Sequence, residues 1–508
     1  MAIARGATNG GTTRWPVTGD TTPGSRALPW LIQGGMGIAI SDWKLARTVS
    51  MTGQLGVVSG TGIETVFVRR LQDVGVDDAL RDVLGRFPDQ SVVEKALARY
   101  ATSPRPDENT PYRTVPMLTH RNVHAVQDLM VLAAFVEVAL AKAGHDGQVG
   151  MNLLTKVQIP TVPTLYGAML AGVDYILMGA GIPVHIPGVL DQLARVEEVT
   201  MPLDVVGDAE KERIPLLRFD SARITPTAQL RRPEFLGVIS SHVLANALAR
   251  RSTGTVNGFV VENPTAGGHN APPRGSLILD EEGGPVYGER DRVDYAAMRD
   301  LGLPFWLAGG ITTADHVRAA LEVGATGVQV GTLFAYCAES GMEPGLRREI
   351  IDHVIHGGVH VTTSVRASST GYPFKVADVE GTLSDETTYE GRPRICDLGY
   401  LREAYMKADG GVGYRCPSEP QDQFVAKGGE SAETVERVCL CNALMSTAGF
   451  PQIRRGGYRE PPIVTSGDSI NEIAPLLVGR SDYGACDVID FLKSGLIDAP
   501  VVLDPQPV

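Results

Sequence analysis

The chain has 508 residues, 43% hydrophobic and 6% aromatic, and its 46 Lys/Arg against 59 Asp/Glu give a formal net charge of −13. That balance argues against nucleic acid and anionic membranes as partners, because both need clustered Lys and Arg. No run of 18 apolar residues suggests a membrane span, and six Cys are too few for a disulfide scaffold, so a reducing cytoplasm is the expected compartment.

Residues 1–28 are rich in Thr and Gly and lack the apolar stretch of a secretory signal; they are expected to form a mobile arm. From there, short β-branched and apolar runs alternate with longer amphipathic segments, the pattern of βαβ units around a parallel sheet. Eight strands are expected: Trp30–Gly35, Leu55–Ser59, Val149–Leu154, Val173–Met178, Glu234–Ser240, Gly258–Glu262, Pro304–Ala308 and Thr326–Val330. Each is nearly all apolar, as strands buried on both faces must be. Eight such strands with crossover helices, for instance Thr313–Val323 after the seventh, close into a (β/α)8 TIM barrel over residues 29–340, an α/β fold. An open doubly wound sheet is the alternative.

Two insertions interrupt the repeat. Residues 73–148 read as helices around a polar, Pro-containing middle. Residues 198–232 read as an antiparallel hairpin, Pro202–Val206 with Ile214–Phe219, outside the barrel. Residues 341–508 differ in composition and are expected to form a C-terminal extension.

Three glycine-bearing turns follow expected strands: Gln33–Gly37 (QGGMG), Ala308–Ile311 (AGGI) and Val330–Phe334 (VGTLF). In a barrel, the loops after strands seven and eight commonly build a phosphate site. There Gly309, Gly310 and Gly331 allow close backbone approach and Thr332 adds a hydroxyl. A flavin mononucleotide (FMN), a sugar phosphate and a phosphorylated metabolite all remain candidates at this point. In the first turn, Gly35, Met36 and Gly37 would set backbone and a polarizable thioether against a flat ring. Asn152, at the end of strand three, offers an amide to ring or chain oxygens, or else caps its own turn. Glu262, at the end of strand six, either holds a ligand hydroxyl or is a solvated rim carboxylate. Just beyond it, Gly267 and Gly268 precede His269 on the rim where barrel enzymes carry their chemistry, and an imidazole there can exchange a proton near neutral pH. His185 is a weaker candidate for substrate contact. The groups His120/His124 and His353/His356/His360 lack the HExxH pattern of a zinc helix and read as surface or core-edge residues.

Taken together, QGGMG, VGMNLL, VDYILMGAGIP, the AGGH rim, AGGI and GATGVQVGTLF resemble, in this order, the nitronate monooxygenase (2-nitropropane dioxygenase) family over about residues 28–340, the two insertions excepted. The resemblance implies a TIM barrel, a non-covalent FMN, and His269 as catalytic base or electrostatic partner of the substrate near the flavin. It also implies an oxidoreductase that takes electrons from an alkyl nitronate or a related small anion and reacts with dioxygen. Related barrels with a similar Gly-Gly-His rim resemble enoyl-thioester reductases or NAD(P)H:quinone reductases, so an NAD(P)H-dependent reductase is a second reading. A flavin-containing binding or scaffold protein, in which the extension contacts a carrier protein, is a third, and a flavin-free phosphate-metabolite lyase or isomerase a fourth. The sequence leaves a homo-oligomer open.

Four Cys fall late in the chain: Cys396, Cys416, Cys439 and Cys441. Their polar, Gly-rich surroundings have little apolar content to fold on their own, and a zinc ion or an iron–sulfur cluster would supply stability. The CxxC knuckle of structural zinc is absent, and unmetallated thiols are the alternative. Cys337 and Cys486 read as buried small residues.

Overall fold

The computed structural model describes residues 27–101, 104–121, 124–207, 215–224 and 229–496. Most of the N-terminal arm, and the charged turn of the second insertion, lie outside these.

Eight parallel strands form one sheet: β1 (Leu31–Gln33), β2 (Gly56–Ser59), β3 (Val149–Leu154), β4 (Tyr175–Gly179), β5 (Glu234–Ile239), β6 (Gly258–Glu262), β7 (Phe305–Ala308) and β8 (Gly327–Val330). Neighbours in sequence are neighbours in the sheet, and β1 pairs with β8 through Leu31↔Val328 to Gln33↔Val330. The circle closes between β1 and β2, where the Gln33 amide donates to the Leu55 carbonyl at 3.0 Å and the Leu55 amide to the Leu31 carbonyl at 3.1 Å. A sheet whose first strand bonds both its second and its last has no edge; this is a barrel and not an open sheet.

Strand periodicity explains the filling. Ile32, Leu55, Val57, Tyr175, Leu177, Leu236, Val260, Trp306 and Ala308 point inward and form one buried cluster inside the barrel. The Trp306 indole, fully buried, donates to the Pro29 carbonyl at 2.7 Å, so its polar edge is satisfied. The alternate residues face the helical layer and join the larger outer core. Within that layer, His124–Ala141 is the one described helix long and apolar enough to cross a membrane, yet 78% of it is buried inside the fold. It packs on the helices Thr161–Leu170 and Trp43–Met51 instead.

The first insertion carries the helices Asp78–Gly85 and Gln90–Tyr100, each opened by an Asp side chain that accepts from a first-turn amide. In the second, the hairpin pairs Glu198–Pro202 with Leu216–Asp220. The expected first arm is thus displaced. Val205–Val206 leaves the hairpin and adds in parallel to Glu403–Met406 of the extension, a partner no local pattern announces.

The extension wraps the C-terminal mouth of the barrel and shares its outer core through Val464, Met445, Ile470, Ile473 and Val488. Its own strands are short: Val361–Ser364 with Phe374–Ala377, and Glu403–Met406 with Val412–Arg415. Ion pairs bind it together. The Arg392 guanidinium meets Glu460 at 2.6 Å with both side chains almost fully inaccessible, and Arg347 forms a bidentate pair with Asp482 at 2.6 and 2.7 Å.

Candidate active site

The C-terminal ends of the strands open into one large cavity of about 240 Å3. Gly35, Met36, Gly37, Asn152, Glu262, Gly267, Gly268, His269, Gly309, Gly310, Gly331 and Thr332 all line it, so twelve positions spread over roughly 300 residues of chain meet in one place.

The turn after β1 is fastened from below. The buried Gln33 amide group donates to Ser41 Oγ at 2.8 Å, and its oxygen accepts from the Val57 amide at 2.9 Å. Ser41 Oγ donates to the Gly34 carbonyl at 2.8 Å and accepts from the Met36 amide at 2.9 Å. Asn152 Nδ2 donates to the Gly35 carbonyl at 3.0 Å. A Cβ on Gly35 would stand 2.2 Å from that of Asn152, so the close approach requires glycine. Asn152 therefore serves the turn as well as the cavity.

Across the mouth, Gly309 and Gly310 adopt φ of +91° and +72°, a left-handed pair that L side chains rarely enter. Thr312 holds Glu472 of the extension, and the Thr313 side chain accepts from the His316 amide to start the helix Ala314–Glu322. Thr332 Oγ1 accepts from the Gly467 amide at 3.2 Å. Glycines at 309, 310, 331 and 467 thus leave backbone, with no side chain, facing this end of the cavity. Ala180, also in the lining, has φ +54°, an unusual conformation for a non-glycine residue.

The Gly-Gly-His loop is held by the extension. Lys375 donates its backbone amide to the Gly268 carbonyl at 2.9 Å, Gly268 donates to Thr465 Oγ1 at 2.9 Å, and Asn270 donates to the Pro373 carbonyl at 2.9 Å. The His269 ring packs edge-on against Phe374 with centroids 4.9 Å apart, and its Nε2 lies 2.7 Å from Ser368 Oγ. Ser368, fully buried, contacts Thr370 Oγ1 at 2.8 Å. Burial lowers the His269 pKa to about 3, with the nearby Lys156 charge pushing the same way. What exposure the ring has is toward the cavity, not bulk water. It is neutral at pH 7, which corrects the expectation of an imidazole that titrates near neutrality. Lys156, directly beyond β3, is itself lowered to about 7 by burial. Its Nζ lies 2.8 Å from the Tyr372 ring centroid and has no hydrogen-bond partner among the described residues. Glu262, deep in the cavity, is raised to about 7 by burial.

Sequence reasoning missed Lys156, Ser368 and the whole extension wall: Phe374, Tyr400, Leu401, Leu440, Cys441 and Leu444 line the same cavity. Only Lys156 carried a usable signal, since a Lys two residues past a strand end lies on the catalytic rim of a barrel. His185, by contrast, is exposed at the start of the helix Ile186–Ala194 and does not line the cavity. Cys337 is buried as expected; Cys486 is exposed.

The four late Cys meet as well. Cys396, Cys416, Cys439 and Cys441 line a second, small cavity, and Cys441 and Leu440 form part of the wall between it and the large one. Among the described residues, however, no three His, Cys, Asp or Glu side chains are grouped closely enough to hold a single metal ion.

Residues 202–376 match the family model for nitronate monooxygenase. The chain is 26% identical over 236 residues to a nitronate monooxygenase of Paraburkholderia phytofirmans, covering 45% of this chain and 60% of the relative. It is 36% identical over 91 residues to a nitronate monooxygenase of Pseudomonas aeruginosa, 18% of this chain and 24% of that one. The stretch from 202 to 376 thus resembles the nitronate monooxygenase family. The chain spans about 60% of the length of the first of these relatives. Among solved structures, FabK from Thermotoga maritima superposes with a TM-score of 0.46 at 14% identity, over 92% of this chain and 93% of that one. The family match ends at residue 376, whereas part of the cavity wall (Tyr400, Leu401, Leu440, Cys441 and Leu444) comes from residues beyond it.

Proposed function

We propose that this protein is an FMN-dependent oxidoreductase that oxidises a small, electron-rich anion such as an alkyl nitronate with dioxygen. The observation that carries the reading is the convergence of the three glycine turns with His269 on one rim cavity, with the Lys156 charge close enough to act on His269. The cavity fits the cofactor in two ways. Its Gly309–Gly310 and Gly331–Thr332 end offers backbone and a hydroxyl without side-chain obstruction, as a phosphate requires. Its Gly35–Met36 end offers a flat peptide surface and a thioether, as an aromatic ring system requires. Gly309, Gly310, Gly331 and Thr332 would hold the phosphate, Gly35–Gly37 and Asn152 the ring, and Glu262 a hydroxyl of the chain between. When bound, the flavin supplies the capacity to accept two electrons from substrate and return them to dioxygen.

The protein's own groups have separate roles in this reading. Neutral His269, with Ser368 fixing its Nε2, offers a hydrogen bond to substrate without carrying charge at pH 7. A nitronate is already an anion, so a neutral imidazole is sufficient and a strong base is unnecessary. The Lys156 ammonium supplies the positive charge that favours an anion in this corner. The apolar wall of Phe374, Leu401, Leu440 and Leu444 excludes water.

The test is anaerobic addition of a small alkyl nitronate, and separately of NADPH, to the pure flavin-loaded protein. Bleaching of the flavin bands by nitronate alone is expected. Bleaching by NADPH alone would replace this reading with the reductase, and inertness to both would support a scaffold.

A further inference from the structure

We propose that Tyr372 is a positioning residue of the candidate site: the face of its ring holds the Lys156 ammonium charged and in place beside His269. This concerns the same site as the proposed function and rests on that reading for what Lys156 receives. The hold of Tyr372 on Lys156 is measurable without it.

Lys156 stands two residues past β3, and its Nζ is shut off from solvent with no hydrogen-bond partner among the described residues. Such burial of a cation is unfavourable unless another group stabilises its charge. Burial is the one cause that lowers its pKa, and no carboxylate raises it back. What stands over Nζ is the Tyr372 ring, with its centroid 2.8 Å away. The negative face of an aromatic ring attracts a cation, most strongly where both are away from water. The other titratable group that bears on Lys156 is His269, which is neutral at pH 7 and leaves the ammonium unopposed.

Tyr372 is placed for this by its own loop. It lies in the connection between Val361–Ser364 and Phe374–Ala377, and that connection is fastened on both sides. Upstream, Ser368 is fully buried, bridges to Val438 and meets His269 Nε2 at 2.7 Å. Downstream, the Pro373 carbonyl accepts from the Asn270 amide at 2.9 Å, and Phe374 bridges to His269 and packs on its ring. Gly371 turns the chain with φ +74°, and Pro373 biases Tyr372 toward extended backbone. One loop of the extension thus carries Ser368 and Phe374 to His269, and Tyr372 to Lys156. A leucine at 372 would offer bulk but no negative face.

The experiment follows the pH dependence of Lys156 acylation by trace acetic anhydride, read by peptide mass spectrometry on the full chain as purified. KM and kcat for a small alkyl nitronate are measured alongside, on either side of pH 7. In the wild type the acylation midpoint is expected at about 7. Loss of the ring face disfavours the charged form, so Tyr372→Leu should move the midpoint about one pH unit lower. About a tenth of the Lys156 side chains, instead of half, then stay charged at pH 7, and KM at that pH should rise about five-fold with kcat within about two-fold. Tyr372→Phe keeps the ring and should keep both values. Should Tyr372→Leu fail to fold, phenylalanines carrying increasing numbers of ring fluorines at position 372 keep the ring's outline and drain its negative face, and the midpoint should fall in step. An unmoved midpoint in Tyr372→Leu or across the fluorinated series would overturn the proposal, as would an equal fall in Tyr372→Phe. A lowered midpoint with KM unmoved would keep the hold of Tyr372 on Lys156 and overturn the reading of Lys156 as the charge that receives the substrate.

Discussion

The barrel and the extension are built by different physics. The barrel strands are continuous apolar runs, and their interior is an apolar cluster whose main polar group, the Trp306 indole, has a backbone partner. The extension has short strands, many irregular turns, one fully buried ion pair, Arg392 with Glu460, and two pairs that join a buried cation to a half-exposed carboxylate, Arg347 with Asp482 and Lys375 with Asp468. A barrel of this kind tolerates apolar exchange within its layers. An extension pinned by a buried ion pair does not tolerate the loss of one partner, because the other charge is left desolvated. The site lies where the two meet. The barrel contributes the glycine turns; the extension contributes the wall and orients His269.

That contrast can be broken most sharply at Glu460. Glu460→Ala strands the Arg392 guanidinium, and unfolding in denaturant should lose about 3–5 kcal/mol. A loss below about 1 kcal/mol would show that the extension does not depend on its buried charge. Next in size is Thr332→Glu. A carboxylate beside the expected phosphate should weaken flavin retention by about 100-fold, given roughly 1.5–3 kcal/mol for a hydrogen bond to a charged group. Unchanged flavin content after gel filtration would contradict the placement. Ser368→Ala frees the imidazole to turn; kcat should fall by roughly 10-fold with flavin content unchanged, and Ser368→Thr should restore part of it. Equal losses in both variants together with lost flavin would mean a structural role only.

Two finer effects follow from charge. The Lys156 pKa of about 7 means that it is cationic below pH 7 and neutral above, so KM for an anionic substrate should rise as pH increases through 7. Lys156→Met should raise KM several-fold at pH 6 and flatten that rise; an unaltered pH profile would remove Lys156 from substrate binding. His269, lowered to about 3, stays neutral over the whole working range. His269→Ala should therefore reduce the rate without deleting a limb of the profile between pH 5 and 8. Deletion of such a limb would restore the view that it titrates near neutrality.

The same contrast explains what could be read from the sequence. All eight strands were legible, most to within one or two residues at each end, because a strand buried on both faces must be an apolar run and Gly turns mark its C-terminal end. The cavity residues of the barrel were legible for the same reason: Gly309 and Gly331 follow strand ends directly, and His269 lies in the loop after the strand Gly258–Glu262. Ser368, Phe374 and Leu440 were not, because their relation to His269 exists only through long-range packing of an irregular segment. Val205–Val206 joined a strand about 200 residues away, which no periodicity reveals. Protonation was equally hidden. His269 reads as an ordinary rim imidazole until the Phe374 ring and the Lys156 ammonium are seen beside it. The four Cys were visible as types, but their convergence was not, since only the Cys439–Cys441 pair is local.

The central claim is that the rim cavity, built jointly by barrel and extension, holds a flavin. The direct measurement is the visible absorption spectrum and intact-complex mass of the full chain purified under native conditions. The account predicts flavin bands and about one non-covalent FMN per chain, released on denaturation. A colourless protein, or one carrying a phosphorylated metabolite in place of FMN, would contradict it.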